Sequence, residues 1–302
     1  MRIFRPDYWS KNVLIVISYI FTLQIIYGSF NSFNLIKLIL IIISFSVLTS
    51  SCYVINEYLD KDEDVYHPEK KKRILVNSNI NPFNITIIHF FLLTVSFSIL
   101  YQIEEFDKLS PIFIFYLINA YFYNLKPIRL KNLKILDVLS EGLNSPIRFL
   151  IGWFMVVDSL PPITLVIIFY SLGIFLMTAK RFIENRYLKK NIIKKYRKSL
   201  EFYNYSNFDV ISNISIYSIL IFLIIFIYKY NLNFLLAVPF YSLFFLKLKK
   251  NIFEYSIKSK KKILPFLKDT KSILLILIIL LMTIGLSFDE LPILSTLRVR
   301  SF

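Results

Sequence analysis

The sequence predicts an all-α integral membrane fold, a bundle of about nine transmembrane helices with its polar groups gathered at one face. Three observations lead there. Hydrophobic residues make up 56% of the 302 and charged residues only 19%, with a mean hydropathy of +0.59, which is too apolar for an ordinary soluble domain of this size. Apolar runs close to the ~20 residues that a bilayer requires recur along the chain. The connections between these runs alternate between rich and poor in Lys and Arg, as the positive-inside rule expects of a multi-pass protein.

Taken in order, the first run, 12–30, has no small-residue cleavage pattern after it and reads as a span rather than a removable signal. The second, 35–58, holds the one cysteine, Cys52, a small packing residue with no internal disulfide partner. The third, 83–103, carries His89, read as a core histidine with a hydrogen-bond partner. The fourth and eighth, 111–125 and 231–247, are short. The fifth, 135–157, sets Glu141, Asn144 and Arg148 at helical spacing inside a membrane segment, where ionisable groups must find partners, either one another or a neighbouring helix. The sixth, 162–183, ends in Lys180, Arg181 and Glu184; the seventh, 209–229, and ninth, 270–288, complete a single domain over 1–302. Its basic connections lie near 59–82, 126–134, 184–208 and 247–269.

The N-terminal Arg2, Arg5 and Lys11 and the basic stretches 61–73, 126–134, 180–198 and 247–268 carry 29 of the 36 Lys and Arg, whereas the opposite connections contain only Lys108. The N-terminus and basic face are therefore expected in the cytosol, with the chain in the cell (inner) membrane. The net charge of +16 does not call for nucleic acid. Juxtamembrane lysines such as Lys70, Lys71, Lys72 and the Lys258–Lys262 run are explained by topology and by anionic lipid headgroups of the bilayer.

The most informative segment is Asn56-Glu57-Tyr58-Leu59-Asp60-Lys61-Asp62-Glu63-Asp64, at the cytosolic end of the second span. Carboxylates there are expensive to place. Steps of four residues put Asn56, Asp60 and Asp64 on one helical stripe roughly 12 Å long, able to hold Mg²⁺ against a phosphorylated substrate. His67 before Pro68 reads as the end of a helical turn. Two further polar clusters lie at the same face: Tyr123 through Lys131 followed by Asp137, and Lys180, Arg181 and Glu184 with the basic stretch to Lys198.

At these residues the chain resembles the UbiA superfamily of intramembrane transferases, whose signature Asn-Asp-x-x-Asp-x-x-x-Asp is matched by Asn56, Asp60 and Asp64, with Glu57 at the second position. The resemblance covers nearly the whole chain and implies nine helices around a cytosol-facing cavity. Within the superfamily the sequence is most similar to the polyprenyl-phosphate phosphoribosyltransferase type. That similarity rests on Arg5-Pro6-x-x-Trp9-x-Lys11-Asn12, His67-Pro68-x-Lys70, Leu130-Lys131, Leu136-Asp137-Val138 with Arg148 and Gly152, and Lys180-Arg181-x-x-Glu184. The second Asp-rich motif of the aromatic prenyltransferases is missing, and one carboxylate and two cations stand in its place at Lys180, Arg181 and Glu184.

The resemblance implies Mg²⁺ as cofactor, with Asn56, Glu57, Asp60 and Asp64 as its ligands and Asn56, Asp60 and Asp64 as the catalytic set. Lys11, Tyr123, Lys131, Arg148, Lys180, Arg181 and Glu184 are the substrate-binding candidates. The best reading is transfer of phosphoribose from phosphoribosyl diphosphate to polyprenyl phosphate. Prenyl transfer from a polyprenyl diphosphate to an aromatic or lipid acceptor is the alternative, and a membrane transporter the alternative of another class. Asp60 and Asp64 are expected at a hydrated helix end, so that Asn in place of either would leave folding nearly unchanged, whereas Arg148→Ala would harm folding or lipid handling.

Overall fold

The computed structural model describes residues 2–28, 30, 32–78, 80–230 and 232–258. The ninth expected span, the tail 289–302 and most of the Lys258–Lys262 run lie outside the described residues. Within them the chain is all helix and short turns, with no strand. The helices are α1 (Val13–Tyr27), α2 (Leu35–Leu59), α3 (Lys61–Asp64), α4 (Pro82–Gln102), α5 (Phe106–Asn124), α6 (Leu136–Gly142), α7 (Asn144–Phe154), α8 (Ile163–Tyr187), α9 (Lys190–Tyr196), α10 (Tyr205–Tyr230) and α11 (Val238–Lys258). Among the described residues five helical stretches are long and apolar enough to cross a membrane: Pro6–Tyr27, Leu35–Leu59, Pro82–Gln102, Ile163–Tyr187 and Tyr205–Tyr230.

Local chemistry sets the helix ends. Gly28, at φ +61°, closes α1 by giving its N–H to the Gln24 carbonyl, the left-handed stop that glycine adopts without steric cost. The Asn34 side chain accepts the Lys37 N–H to open α2, and Asn81 accepts the Phe83 N–H ahead of Pro82 at the first turn of α4.

Packing pairs α2 with α4, α1 with α7, and α8 with α10, while α6 and α7 both lie against α8. Around α2 the core runs through Ile41, Phe45, Leu48, Phe113 and Tyr116; a second core joins α8, α10 and α11 through Phe175, Phe182, Phe208, Phe245 and Ile252. Where helices cross most closely, glycine is the contact. A Cβ on Gly173 would sit 2.2 Å from the Gly142 carbonyl oxygen, and one on Gly152 would sit 2.6 Å from the Ile15 carbonyl oxygen. Small residues at such crossings let backbones of membrane helices approach.

Three expected spans differ from the fold. The fifth is two helices, α6 and α7, meeting at Leu143. Pro146 has no N–H to give the Gly142 carbonyl four residues back, so the helical ladder is interrupted there. The fourth begins at Phe106 rather than 111, because Pro111 is accommodated inside α5. The eighth is a 3-10 turn, Leu232–Ala237, followed by α11, so the connection expected from 247 starts as helix. Lys247, Lys249 and Lys250 end an apolar window but do not end a helix, since long basic side chains reach past the apolar surface they cover.

Candidate active site

The polar residues singled out in sequence converge at one end of the bundle, and most arrive already paired. The helical hydrogen bonding of α2 continues through Asp60 into α3, with the Asp60 N–H on the Asn56 carbonyl at 3.0 Å and the Asp64 N–H on the Asp60 carbonyl at 2.8 Å. The expected four-residue stripe is thus present. It is not hydrated: Asp60 is 6% and Asp64 0% exposed. This corrects the expectation that Asn substitutions there would leave folding untouched.

Each acid of the stripe faces a different cation. Asp60 Oδ1 accepts from Lys131 Nζ and, at 3.2 Å, from an Arg129 amino group. Asp64 Oδ2 accepts from Arg73. Glu57 Oε2 accepts from Arg5 at 3.2 Å and Oε1 accepts the Leu75 N–H at 3.4 Å. Both Glu57 oxygens already have protein donors, which leaves Asp60 and Asp64 with the freer oxygens among the expected metal ligands. Asn56 is half-buried one turn deeper. Arg5 (φ 51°) and Arg129 (φ 39°) both hold left-handed backbone conformations, an unfavourable geometry for non-glycine residues that concentrates at functional sites.

The second group is built around Arg181, which is 2% exposed. Its guanidinium donates to Asp137 Oδ2 at 2.9 Å, Tyr123 Oη at 2.6 Å and Glu184 Oε2 at 3.2 Å, and lies 3.4 Å from Glu141 Oε2. Glu184 Oε1 meets Lys70 at 3.3 Å and Tyr196 Oη at 3.2 Å, with His67 Nε2 at 3.6 Å. His67 is buried, and its Nδ1 accepts the Glu69 and Lys70 N–H groups, so the remaining ring proton sits on Nε2, toward Glu184. Lys70 is therefore not a solvated anchor, whereas Lys71 and Lys72 are exposed as expected.

The third group lies deeper, between α1, α7 and α8. Arg148, 6% exposed, donates to Asn12 Oδ1 at 2.9 Å and the Asn144 carbonyl at 2.7 Å, and its guanidinium lies 5.5 Å from the Phe45 ring centroid. Glu141 instead reaches Lys180 at 3.4 Å, because the break at Leu143 disrupts the helical register that would have joined Glu141 to Arg148. Lys11 lies over the Tyr8 ring at 4.4 Å and within electrostatic range of Lys180, Glu141 and Arg148. Among the described residues neither Lys11 nor Arg148 forms an ion pair.

Outside the spans, proton affinities follow this geometry. Burial alone would raise Asp60, but the Lys131 ammonium, with Arg197 and Lys70 behind it, holds its carboxyl below the ordinary value. Burial raises Asp64 despite Arg73 and Lys70, and Asp64 Oδ1 is buried with no hydrogen-bond partner. Burial lowers Lys70 to about 8, with Glu184 opposing.

Among the described residues no three His, Cys, Asp or Glu side chains converge as a metal cage. The donors present suit Mg²⁺ nonetheless, since that ion is commonly held by one or two carboxylates plus substrate phosphates. Asp60 keeps one oxygen off its cation partners, and Asp64 Oδ1 is buried with no hydrogen-bond partner.

Sequence reasoning passed over Arg73, Arg129, Arg197, Tyr196 and Tyr203 as site residues and set His67 and Lys70 aside. His89 and Cys52 are as expected: His89 bonds the Ser51 carbonyl at 3.2 Å and Tyr121 Oη at 2.7 Å, and Cys52 packs in the α2 core.

A family model described as the UbiA prenyltransferase family matches residues 15–270. Among solved structures, a UbiA homolog from Archaeoglobus fulgidus bound to DMAPP and Mg²⁺ aligns at a TM-score of 0.66 and 17% identity, covering 96% of this chain and 99% of that one. The homolog bound to GPP and Mg²⁺ gives 0.65 and 17%, over 95% and 99%; a third structure of it gives 0.62 and 18%, over 95% and 97%. At these identities the likeness is one of fold. No curated protein matches the sequence significantly.

Proposed function

The chain belongs to the UbiA prenyltransferase family and is a multi-pass membrane transferase; from that premise we propose that it acts with Mg²⁺ on a polyprenyl phosphate or diphosphate, moving phosphoribose from phosphoribosyl diphosphate to polyprenyl phosphate. We place the site at the cytosolic face of the inner membrane, where the basic connections put it, and take 1–302 as one domain.

The observation that carries this reading is the asymmetry of the site. Asp60 and Asp64 form a carboxylate edge, whereas Lys11, Arg148 and Lys180 form a cationic one in which, among the described residues, the only carboxylate partner is Glu141, at 3.4 Å from Lys180. Where a second carboxylate pair would hold another metal, Glu184 is tied to Arg181 and Lys70. A donor diphosphate carried with Mg²⁺ and an acceptor that is itself a phosphate match one edge each.

Mg²⁺ bound at Asp60 and Asp64 would neutralise charge developing on the departing diphosphate. The remaining roles belong to protein groups. Lys131, wholly buried, and Arg129 fix the Asp60 carboxylate and hold it ionised. Arg181, already bonded to Asp137, Tyr123 and Glu184, positions those groups rather than gripping phosphate, so of the expected binding residues Lys11, Arg148 and Lys180 remain to hold the acceptor. A phosphate oxygen is already anionic at neutral pH, so no strong general base is required. Arg148 supplies the forked donor geometry that lysine lacks.

Prenyl transfer from a diphosphate is the second reading, favoured by the DMAPP and GPP in the homologous structures. One assay separates them: labelled phosphoribosyl diphosphate with decaprenyl phosphate, against labelled prenyl diphosphate with 4-hydroxybenzoate, each with Mg²⁺ or EDTA. Mg²⁺-dependent label in a lipid-phosphate sugar supports the first; label in a prenylated aromatic supports the second.

A further inference from the structure

The connection between α8 and α10 folds as a cap. Its apolar stripe, Ile193, Tyr196 and Leu200, packs with Leu188 into a small core of its own, and α9 lies against α3 while the 3-10 turn Lys198–Phe202 lies against the turn Leu130–Asn132. The cap is fastened to the site on several sides. Tyr196 Oη donates to Glu184, Ser199 Oγ donates to the Lys131 carbonyl at 2.9 Å, and Tyr203 Oη donates to Asp137 while accepting the Ile135 N–H at 3.2 Å.

Between these fastenings sits Arg197, 7% exposed. Its backbone N–H is bonded to the Ile193 carbonyl at 2.8 Å, so the residue is held in place from its own helix. Of its five side-chain N–H groups, one bonds Tyr123 Oη at 3.4 Å, and the guanidinium lies 5.8 Å from the Tyr196 ring centroid. Among the described residues it has no other side-chain hydrogen bond and no ion pair, although it lies within electrostatic range of Asp60 and Glu184. Every other basic side chain buried in the groups around Asp60 and Arg181 has a carboxylate: Lys131 has Asp60, and Arg181 has Asp137 and Glu184. A buried guanidinium whose donors touch no carboxylate leaves most of its hydrogen-bonding capacity unused, and its forked donors match phosphate oxygens.

We propose that Arg197 is a binding residue for the diphosphate group of the donor, so that the cap contributes a direct contact opposite the Asp60 and Asp64 carboxylates. This rests on the reading of the chain as a diphosphate-using transferase and adds a contact that reading does not contain. The shared chemistry is the diphosphate itself, whether its other end is a sugar or a prenyl chain.

The test uses inorganic pyrophosphate as probe on the full chain in lipid nanodiscs. The first readout is Mg²⁺-dependent pyrophosphate affinity of the unaltered protein and of Arg197→Gln, Arg197→Lys and Lys198→Gln; the second is trypsin cleavage at the exposed Lys189, Lys190, Lys194, Lys195 and Lys198. Arg197→Gln is expected to weaken pyrophosphate binding roughly tenfold to a hundredfold and to abolish pyrophosphate protection of the cap, with Arg197→Lys intermediate and Lys198→Gln unchanged. Should Arg197→Gln fail to fold, Arg197→Lys carries the comparison, because it keeps the charge and loses the fork. Equal affinity and equal protection in the unaltered protein and either Arg197 variant would overturn the proposal while leaving the transferase reading in place. Absence of pyrophosphate binding by the unaltered protein would overturn both; where pyrophosphate does bind, phosphoribosyl diphosphate and a prenyl diphosphate as competitors distinguish the donor's other end.

Discussion

The two ends of α2 carry buried ions under opposite accounting. At its first turn Lys37 pairs with Glu105, one cation with one carboxylate. At and just beyond its last turn, Glu57, Asp60 and Asp64 take cation partners at the polar end of the bundle, where, among the described residues, Lys11, Arg148 and Arg197 form no ion pair. The Lys37–Glu105 pair balances its charges one for one and is a fold element, although Glu105 Oε2 is buried without a hydrogen-bond partner. A network with surplus cations is incomplete, and under the proposed function an anionic ligand would complete it.

The largest expected effect is at the open end. Asp60→Asn should lower transfer at least about a hundredfold and, because Lys131 stays buried without its counter-charge, should also cost about 3–5 kcal/mol of stability. Adding Lys131→Met should restore thermal stability and not transfer; recovery of both would show that Asp60 serves only Lys131. At the closed end, Lys37→Met leaves Glu105, 3% exposed, with a buried unpaired charge. A loss of up to about 3–5 kcal/mol is expected, discounted because Lys37 itself is one-third exposed, with the substrate KM unchanged. A shift in KM would break the contrast between the two ends.

Arg148→Gln should raise KM for the lipid phosphate about tenfold, with a smaller change in thermal midpoint than Asp60→Asn gives. The smallest effect concerns pH. Lys70 loses its proton near pH 8 when folded but only near 10.4 when unfolded. Between about pH 8 and 10.4 the unfolded chain binds more protons, so Lys70 makes stability rise with pH across that window. A thermal-melt series should show the slope in the unaltered protein and lose it in Lys70→Met.

Much of the architecture could be read from one dimension because bilayer thickness dictates run length. The second, third, sixth and seventh spans stand within a few residues of their expected bounds. The fifth escaped because a hydropathy window averages over Gly142 and Pro146, the residues that interrupt it. In the site, the Asn56–Asp60–Asp64 stripe was legible because its spacing is local. Its partners were not: Lys131 lies 71 residues from Asp60 and nothing in the spacing marks it. Nor does the run Lys70-Lys71-Lys72 reveal which lysine turns inward; three residues per turn sends Lys70 to Glu184 and leaves its neighbours in water. Arg197 is one cation among many between 180 and 198, and only the stripe of Ile193, Tyr196 and Leu200 hints that this stretch packs.

The Gly142–Gly173 crossing has a mechanical consequence. Lys180, Arg181 and Glu184 stand about 10–17 Å farther along α8, at 1.5 Å per residue. The glycine contact is therefore a fulcrum and the charged end of α8 its lever arm. A wedge as small as one methyl at Gly173 would swing that arm, so the spacing between the carboxylate and cationic edges is calibrated by two residues that carry no side chain at all.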